Sequence, residues 1–148
     1  MTKQIEGKVI SLFISHREQK KRVQKSSIII DSKGILEDKF YHTDLQRSIL
    51  ITSIDSYTLM KKHNIQTSYG ILGENILIDY NPYHLLSGTR MRIGNTLLEI
   101  SQNCTICNHL SAIDESLPDL LKKDRGIFAK VIKGGVIKEG DSISLEEV

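Results

Sequence analysis

The chain is written largely in short apolar runs separated by polar or glycine-bearing breaks, a pattern of strands rather than helices. "IEGKVISLFIS" (5–15) alternates apolar and polar positions and then runs apolar, as a half-buried strand does. "VQKSSIIID" (23–31) is rich in β-branched residues and predicts a second strand. The two form a hairpin whose tip, "SHREQKKR" (15–22), is strongly basic. That tip reads either as a solvated turn or as a lip that attracts an anionic ligand. "RSILITS" (47–53) predicts a buried strand, and another begins at Ile76.

The period changes over "SIDSYTLMKKHN" (53–64), where Ile54, Tyr57 and Met60 step by three. This predicts a short helix capped by Ser53 and ended by Asn64. "LLSGTRMRIGNTLLEIS" (85–101) is the clearest hairpin, with Gly94-Asn95 as its two-residue loop. "IDESLPDLLKKD" (113–124) has helical composition, with Pro118 tolerable only in the first turn. The closing "RGIFAKVIKGGVIKEGDSISLEEV" (125–148) carries further apolar runs broken at Gly134-Gly135 and Gly140-Asp141, both read as turns.

Roughly seven strands with two or three short helices result. Strands close in sequence and joined by hairpins favour an antiparallel barrel or sandwich over a doubly wound sheet. The expected fold is mainly β. At 148 residues the chain has room for one domain, 1–148, with a real core.

Composition narrows function mainly by exclusion. A net charge of +2 and a pI near 8.5 are too weak to point to nucleic acid as the main partner. No apolar run approaches the roughly 20 residues that span a bilayer, and "MTKQIEGKVI" lacks the apolar core of a signal peptide. A cytoplasmic protein without a membrane partner is expected. Its two cysteines, Cys104 and Cys107 in "CTIC", are then poor candidates for a structural disulfide.

Three chemistries remain for "CTICNH". Cys104, Cys107 and His109 supply three ligands where structural zinc takes four, and no second pair completes them, so zinc is not expected. A redox CxxC belongs at a helix start after the first strand of a βαβ unit, and this one follows a hairpin late in the chain. A single working thiol is the third option, and a buried small hydrophobe is the bland one. Around them, "DKFYHTDLQR" (38–47) crowds Lys39, His42 and Arg47 into a polar loop between apolar strands. In "GEN" (73–75), Glu74 can accept hydrogen bonds and Asn75 can both donate and accept. Either could equally be part of a strand-entry turn. Arg47 and Arg125 each offer a planar fork for phosphate or simply begin a strand.

Taken in order, "GILEDKFYH" (34–42), "RSILITS", "GILGENILID" (70–79), the 85–101 hairpin, "CTICNHL" (104–110) and "RGIFAKVIKGGVIKEGDSISL" (125–145) resemble the MOSC domain, the module named for the C-terminus of molybdenum cofactor sulfurase. The resemblance implies a closed or partly open β-barrel with a cleft at one end and Cys107 at that cleft. It implies molybdenum cofactor (molybdopterin), with Cys107 either carrying persulfide sulfur or lying at the metal. Lys39, His42, Arg47, Glu74, Asn75 and Arg125 are the cofactor-binding candidates. Two activities follow: sulfur transfer supplied by a pyridoxal-phosphate-dependent cysteine desulfurase, or reduction of N-hydroxylated compounds with a separate electron-donor protein. The alternative from another class is a non-catalytic binding module for an anionic ligand or a partner protein. The family pattern has Arg-x-Pro-Cys where this chain has "CTIC", so Cys104 replaces an arginine and Ile106 a proline.

Overall fold

The computed structural model describes residues 4–16, 22–104 and 110–146. Cys107 and His109 lie outside the described residues, as does most of the basic tip. The strands are β1 (Ile5–Ile14), β2 (Val23–Lys25), β3 (Ser27–Asp31), β4 (Gly34–Ile35), β5 (Ile49–Ser53), β6 (Ile76–Ile78), β7 (Arg90–Ile93), β8 (Thr96–Asn103), β9 (Ile127–Lys133), β10 (Gly135–Lys138) and β11 (Ser142–Glu146). The helices are α1 (Ile54–Lys62), α2 (Leu110–Ile113) and α3 (Leu117–Leu120), with a 3₁₀ turn at Leu45–Arg47.

β11, β7, β8, β9, β5, β6 and β1 pair in that order, and β1 pairs back to β11. Seven strands thus close into a barrel, and β2 adds an eighth strand along β1. Closure leaves few unpaired edges, which suits a chain of short strands. β10, β3 and β4 form a separate three-stranded sheet. The exposed edge of β10 is blunted by side chains: Asn95 Oδ1 accepts from Val136 N–H (2.9 Å) and Asp141 Oδ2 from Lys138 N–H (2.8 Å).

The predicted hairpin at 85–101 is β7–β8, with Ile93 opposite Thr96 across the two-residue loop. Gly94 there has φ +57°, the left-handed backbone this loop demands. Met91, Ile93 and Leu98 turn inward and are fully buried. Arg90 and Lys130 both reach Glu99 from β7 and β9 (3.3 and 3.2 Å).

Three expectations needed revision. The stretch 23–31 is two strands, because the chain bends at Ser26: β2 stays with β1, and β3 leaves to pair with β10. Eleven strands result among the described residues instead of roughly seven. One barrel pair, β5–β6, is parallel, joined through α1 as a parallel crossover requires. The helical stretch at 113–124 is regular only over α3, where Pro118 occupies the first turn.

α1 matches its prediction. Ser53 accepts from Asp55 N–H (3.0 Å) as its cap. Asn64, just beyond its end, takes a left-handed φ of +62°, a conformation Asn tolerates. The helix covers a second apolar cluster of Met60, Ile65, Leu72, Leu110, Leu117 and Leu121, separate from the barrel core. Among the described residues, no helix is long and apolar enough to cross a membrane.

Candidate functional site

The residues leading into β6 bring two polar side chains into the interior, one after the other. Asn75 is 4 % exposed, and both ends of its amide are occupied. Its Oδ1 accepts from Leu50 N–H (3.0 Å), and its Nδ2 donates to Phe13 carbonyl oxygen (3.2 Å). Its own backbone bonds Leu50 and Phe13 as well. Asn75 therefore ties β1 and β5 together where β6 begins. Each of its amide atoms already serves the backbone of a neighbouring segment.

Glu74 is fully buried. Its Oε2 accepts from Tyr57 hydroxyl (2.6 Å) and from Gly70 N–H (3.0 Å). The same Gly70 N–H also reaches the Tyr57 oxygen (3.0 Å). Gly70 can serve both because its φ is +94° and a Cβ there would press on the Phe13 ring at 3.0 Å. Glu74 Oε1 is buried with no hydrogen-bond partner among the described residues. A buried carboxylate oxygen without a donor is costly, and such atoms are rare in folded proteins. Burial pushes the Glu74 carboxyl up from its ordinary range, against the pull of Tyr57, backbone N–H groups and Arg22. Burial, and then the neighbouring Glu74, push the Tyr57 phenol up as well.

Two arginines lie in this region: Arg22, whose charge acts on Glu74, and Arg125, which holds the carbonyl of Leu72. Arg125 is buried and donates through Nε and Nη2 to Leu72 carbonyl oxygen (3.2 and 3.1 Å), while its own carbonyl accepts from Thr52 hydroxyl (2.8 Å). Arg22 comes from the foot of the basic tip, directly before β2. It is partly buried, and its Nη1 is sealed from solvent without a partner among the described residues. Burial holds its pKa below the usual arginine range, and the charges of Asp38, Glu74 and Arg125 act on it. Asp38 in turn accepts from Ser15 N–H (2.6 Å) and Phe40 N–H (3.1 Å), which fixes the loop after β4 against β1. Arg22 thus feels the charges of Asp38, Glu74 and Arg125, and among the described residues its Nη1 and Glu74 Oε1 are left without a hydrogen-bond partner.

Lys39, His42 and Arg47 are placed otherwise. Lys39 is exposed, with its ammonium 5.0 Å from the centre of the Phe40 ring. His42 is exposed at a left-handed φ of +59° and meets the Tyr41 ring edge-on. Arg47 lies over the Phe128 ring at 5.0 Å, with its Nε buried and unpartnered. None of the three hydrogen-bonds or ion-pairs with Glu74 among the described residues. Cys104 is 3 % exposed at the end of β8, with its N–H on Gly126 carbonyl oxygen (3.0 Å), one residue past Arg125.

Arg22 and Tyr57 are the site residues the sequence did not single out. Arg22 is one of four Lys and Arg residues in "HREQKKR", and nothing local separates a buried arginine from a solvated one. Its position immediately before an apolar strand start was the available signal. Tyr57 was read as one member of the apolar stripe of α1, and its ring fills that role while its hydroxyl does not.

No curated protein matches the chain at a significant level. Solved structures share its fold. The YuaD protein from Bacillus subtilis superposes with a TM-score of 0.78 at 19% identity, covering 96% of each chain. YiiM from Escherichia coli gives 0.72 at 14% identity, over 95% of this chain and 70% of that one. YiiM from Geobacillus stearothermophilus gives 0.70 at 15% identity, over 99% and 76%. The sequence itself matches the model of the MOSC domain over residues 38–144, a span holding Asp38, Tyr57, Glu74, Cys104, Cys107 and Arg125. With that match and this barrel, the chain belongs to the MOSC domain family, whose known roles are tied to the molybdenum cofactor.

Proposed function

We propose that the protein binds molybdenum cofactor at the Arg22–Glu74–Arg125 cluster, with Cys107 as its thiol. The observation that carries this reading is the pair of buried, unpartnered atoms, Arg22 Nη1 and Glu74 Oε1. The cofactor joins an anionic phosphate to a pterin edge rich in N–H donors. A ligand of that kind needs both a leftover donor and a leftover acceptor, so the residues present fit it in kind. Arg22 and Arg125 would hold its anionic groups, and Glu74 Oε1 would accept from its N–H groups while Tyr57 and Gly70 keep Oε2 occupied. When bound, the group supplies two-electron redox chemistry at its metal. On the family resemblance, Cys107 would lie at that metal or carry persulfide sulfur. Electrons for a reduction would come from a separate donor protein.

The test is metal and pterin content of protein made in a cofactor-competent host. Molybdenum with pterin fluorescence is expected in the wild type and in Cys104→Ser, and loss of both in Cys107→Ser. Arg22→Met and Glu74→Gln should lower the cofactor retained. A labile persulfide on Cys107 without molybdenum would replace this reading with sulfur transfer and make a cysteine desulfurase the partner. Neither cofactor nor persulfide would leave a non-catalytic module. Iodoacetamide labelling read by peptide mass spectrometry gives a second measure. Cys107 should label readily below pH ~7.5, where an unperturbed thiol with a pKa of about 8.5 is mostly protonated.

A further inference from the structure

The face of α1 that carries Tyr57 is also one wall of an open depression of about 410 Å³. Ile54, Tyr57 and Lys61 stand on this wall at i, i+3 and i+7, the spacing of one helix face. The opposite wall is the 65–69 connection, with Ile65, Thr67 and Tyr69. Its floor is firm, because Ile65 belongs to the apolar cluster that Met60, Leu72 and Leu117 complete.

Three features of this depression want a ligand, and each wants a different part of one. Tyr69 is 48 % exposed and set edge-to-face against Tyr57, with ring centres 4.9 Å apart. An exposed aromatic ring held in place beside a second one offers a stacking surface at little entropic cost. Thr67 Oγ1 is buried and has no hydrogen-bond partner among the described residues. Lys61 is exposed and makes no ion pair among the described residues. The volume lies within the usual range for small-molecule sites, about 300–1,000 Å³.

We infer that this depression is a second binding site, for a small planar aromatic carboxylate. The ligand ring stacks on Tyr69 against Ile54 and Ile65, and its carboxylate meets Lys61 and the Thr67 hydroxyl. The site adjoins the buried cluster through one residue: the Tyr57 ring faces the depression, and its hydroxyl holds Glu74 Oε2. The inference stands apart from the thiol and from cofactor binding.

The experiment is a titration of the full chain with benzoate, followed by two-dimensional NMR, with benzyl alcohol as the uncharged counterpart. Benzoate should give saturable shifts centred on residues 54–69, with a Kd of about 1 mM, as expected for a fragment of this size. Lys61→Met should weaken it about fivefold, the value of one exposed charge contact. Thr67→Val, which keeps the side-chain shape, should weaken it about threefold to tenfold. Benzyl alcohol should bind more weakly than benzoate to the wild type and equally to Lys61→Met. Cys107→Ser should bind benzoate as the wild type does, so a failure here is separable from a failure of the cofactor reading. Absence of saturation up to about 10 mM would overturn the inference. So would saturable shifts that neither Lys61→Met nor Thr67→Val alters.

Discussion

Glu74 and Asn75 are adjacent and both buried, yet their surroundings differ in kind. Around Asn75 every amide atom has a backbone partner, and the residue closes the junction of three strands. Around Glu74 one oxygen has two donors and the other has none, while a nearby arginine nitrogen is also unmet. Fully matched buried polarity is architecture, because its energy is already returned within the chain. Unmatched buried polarity costs stability, and each instance calls for a reason such as a ligand, water or an ion that would meet it. This contrast separates the two halves of "GEN", which look alike as candidates in sequence.

The largest expected effect tests the architectural side. Asn75→Ala strands Leu50 N–H and Phe13 carbonyl oxygen in the interior, each worth about 1–3 kcal/mol when left unpaired. A loss of about 2–5 kcal/mol is expected in urea unfolding. A loss below about 1 kcal/mol would mean that water or a shifted strand replaces the amide, and the contrast would fail.

Tyr57→Phe comes next. It keeps the ring among its apolar neighbours and removes one donor from Glu74 Oε2, which Gly70 N–H still reaches. About 1–2 kcal/mol should be lost at neutral pH. Since the Tyr57 bond pulls the Glu74 pKa down, its removal should move that carboxyl further up, read as a shifted side-chain carbon resonance across pH. An unmoved Glu74 titration would show that Tyr57 is only packing.

Glu74→Gln should have the smallest effect on stability and a distinct pH signature. The folded-state pKa of Glu74 is raised above its ordinary value of 4.5, so the native state holds this proton more tightly than the unfolded chain does. The associated stability is complete below pH 4.5 and is lost as pH rises from there through the folded pKa. The Gln variant lacks that loss. Relative to wild type it should gain on the order of 1 kcal/mol toward neutral pH, with the gap closing near pH 4. A gap independent of pH would mean that Glu74 is ionised at no cost, and the unmet oxygen would lose its meaning.

The predictable parts of this molecule are those whose causes lie close together in the chain. The β7–β8 hairpin depends on an alternation and a two-residue loop within a dozen positions. The start of α1 depends on Ser53 capping Asp55 N–H two residues on. The split at Ser26 was hidden because both halves of 23–31 are good strand formers. Which sheet each half joins depends on which edge is open, β1 for one and β10 for the other. The helical composition of 113–124 likewise yields only one turn of regular α3, since the six residues past Pro118 hold little helix without a long face to bury.

Periodicity, turn residues and ordered segments were sufficient for a mainly β chain of the MOSC family with closing hairpins, because hydrophobic burial and turn geometry act over a few neighbouring residues. The arrangement of charge was decided only in three dimensions. Arg22, 16 positions from Asp38 and farther still from Glu74 and Arg125 in the chain, feels their charges only because the fold brings these segments near one another. Desolvation depends on every atom within a few ångströms, whatever its place in the chain. That is why Lys39, His42 and Arg47 remain outside the cluster while an arginine at the foot of the basic tip enters it, and why Asn75 is spent on the fold and Glu74 is left with an oxygen to share.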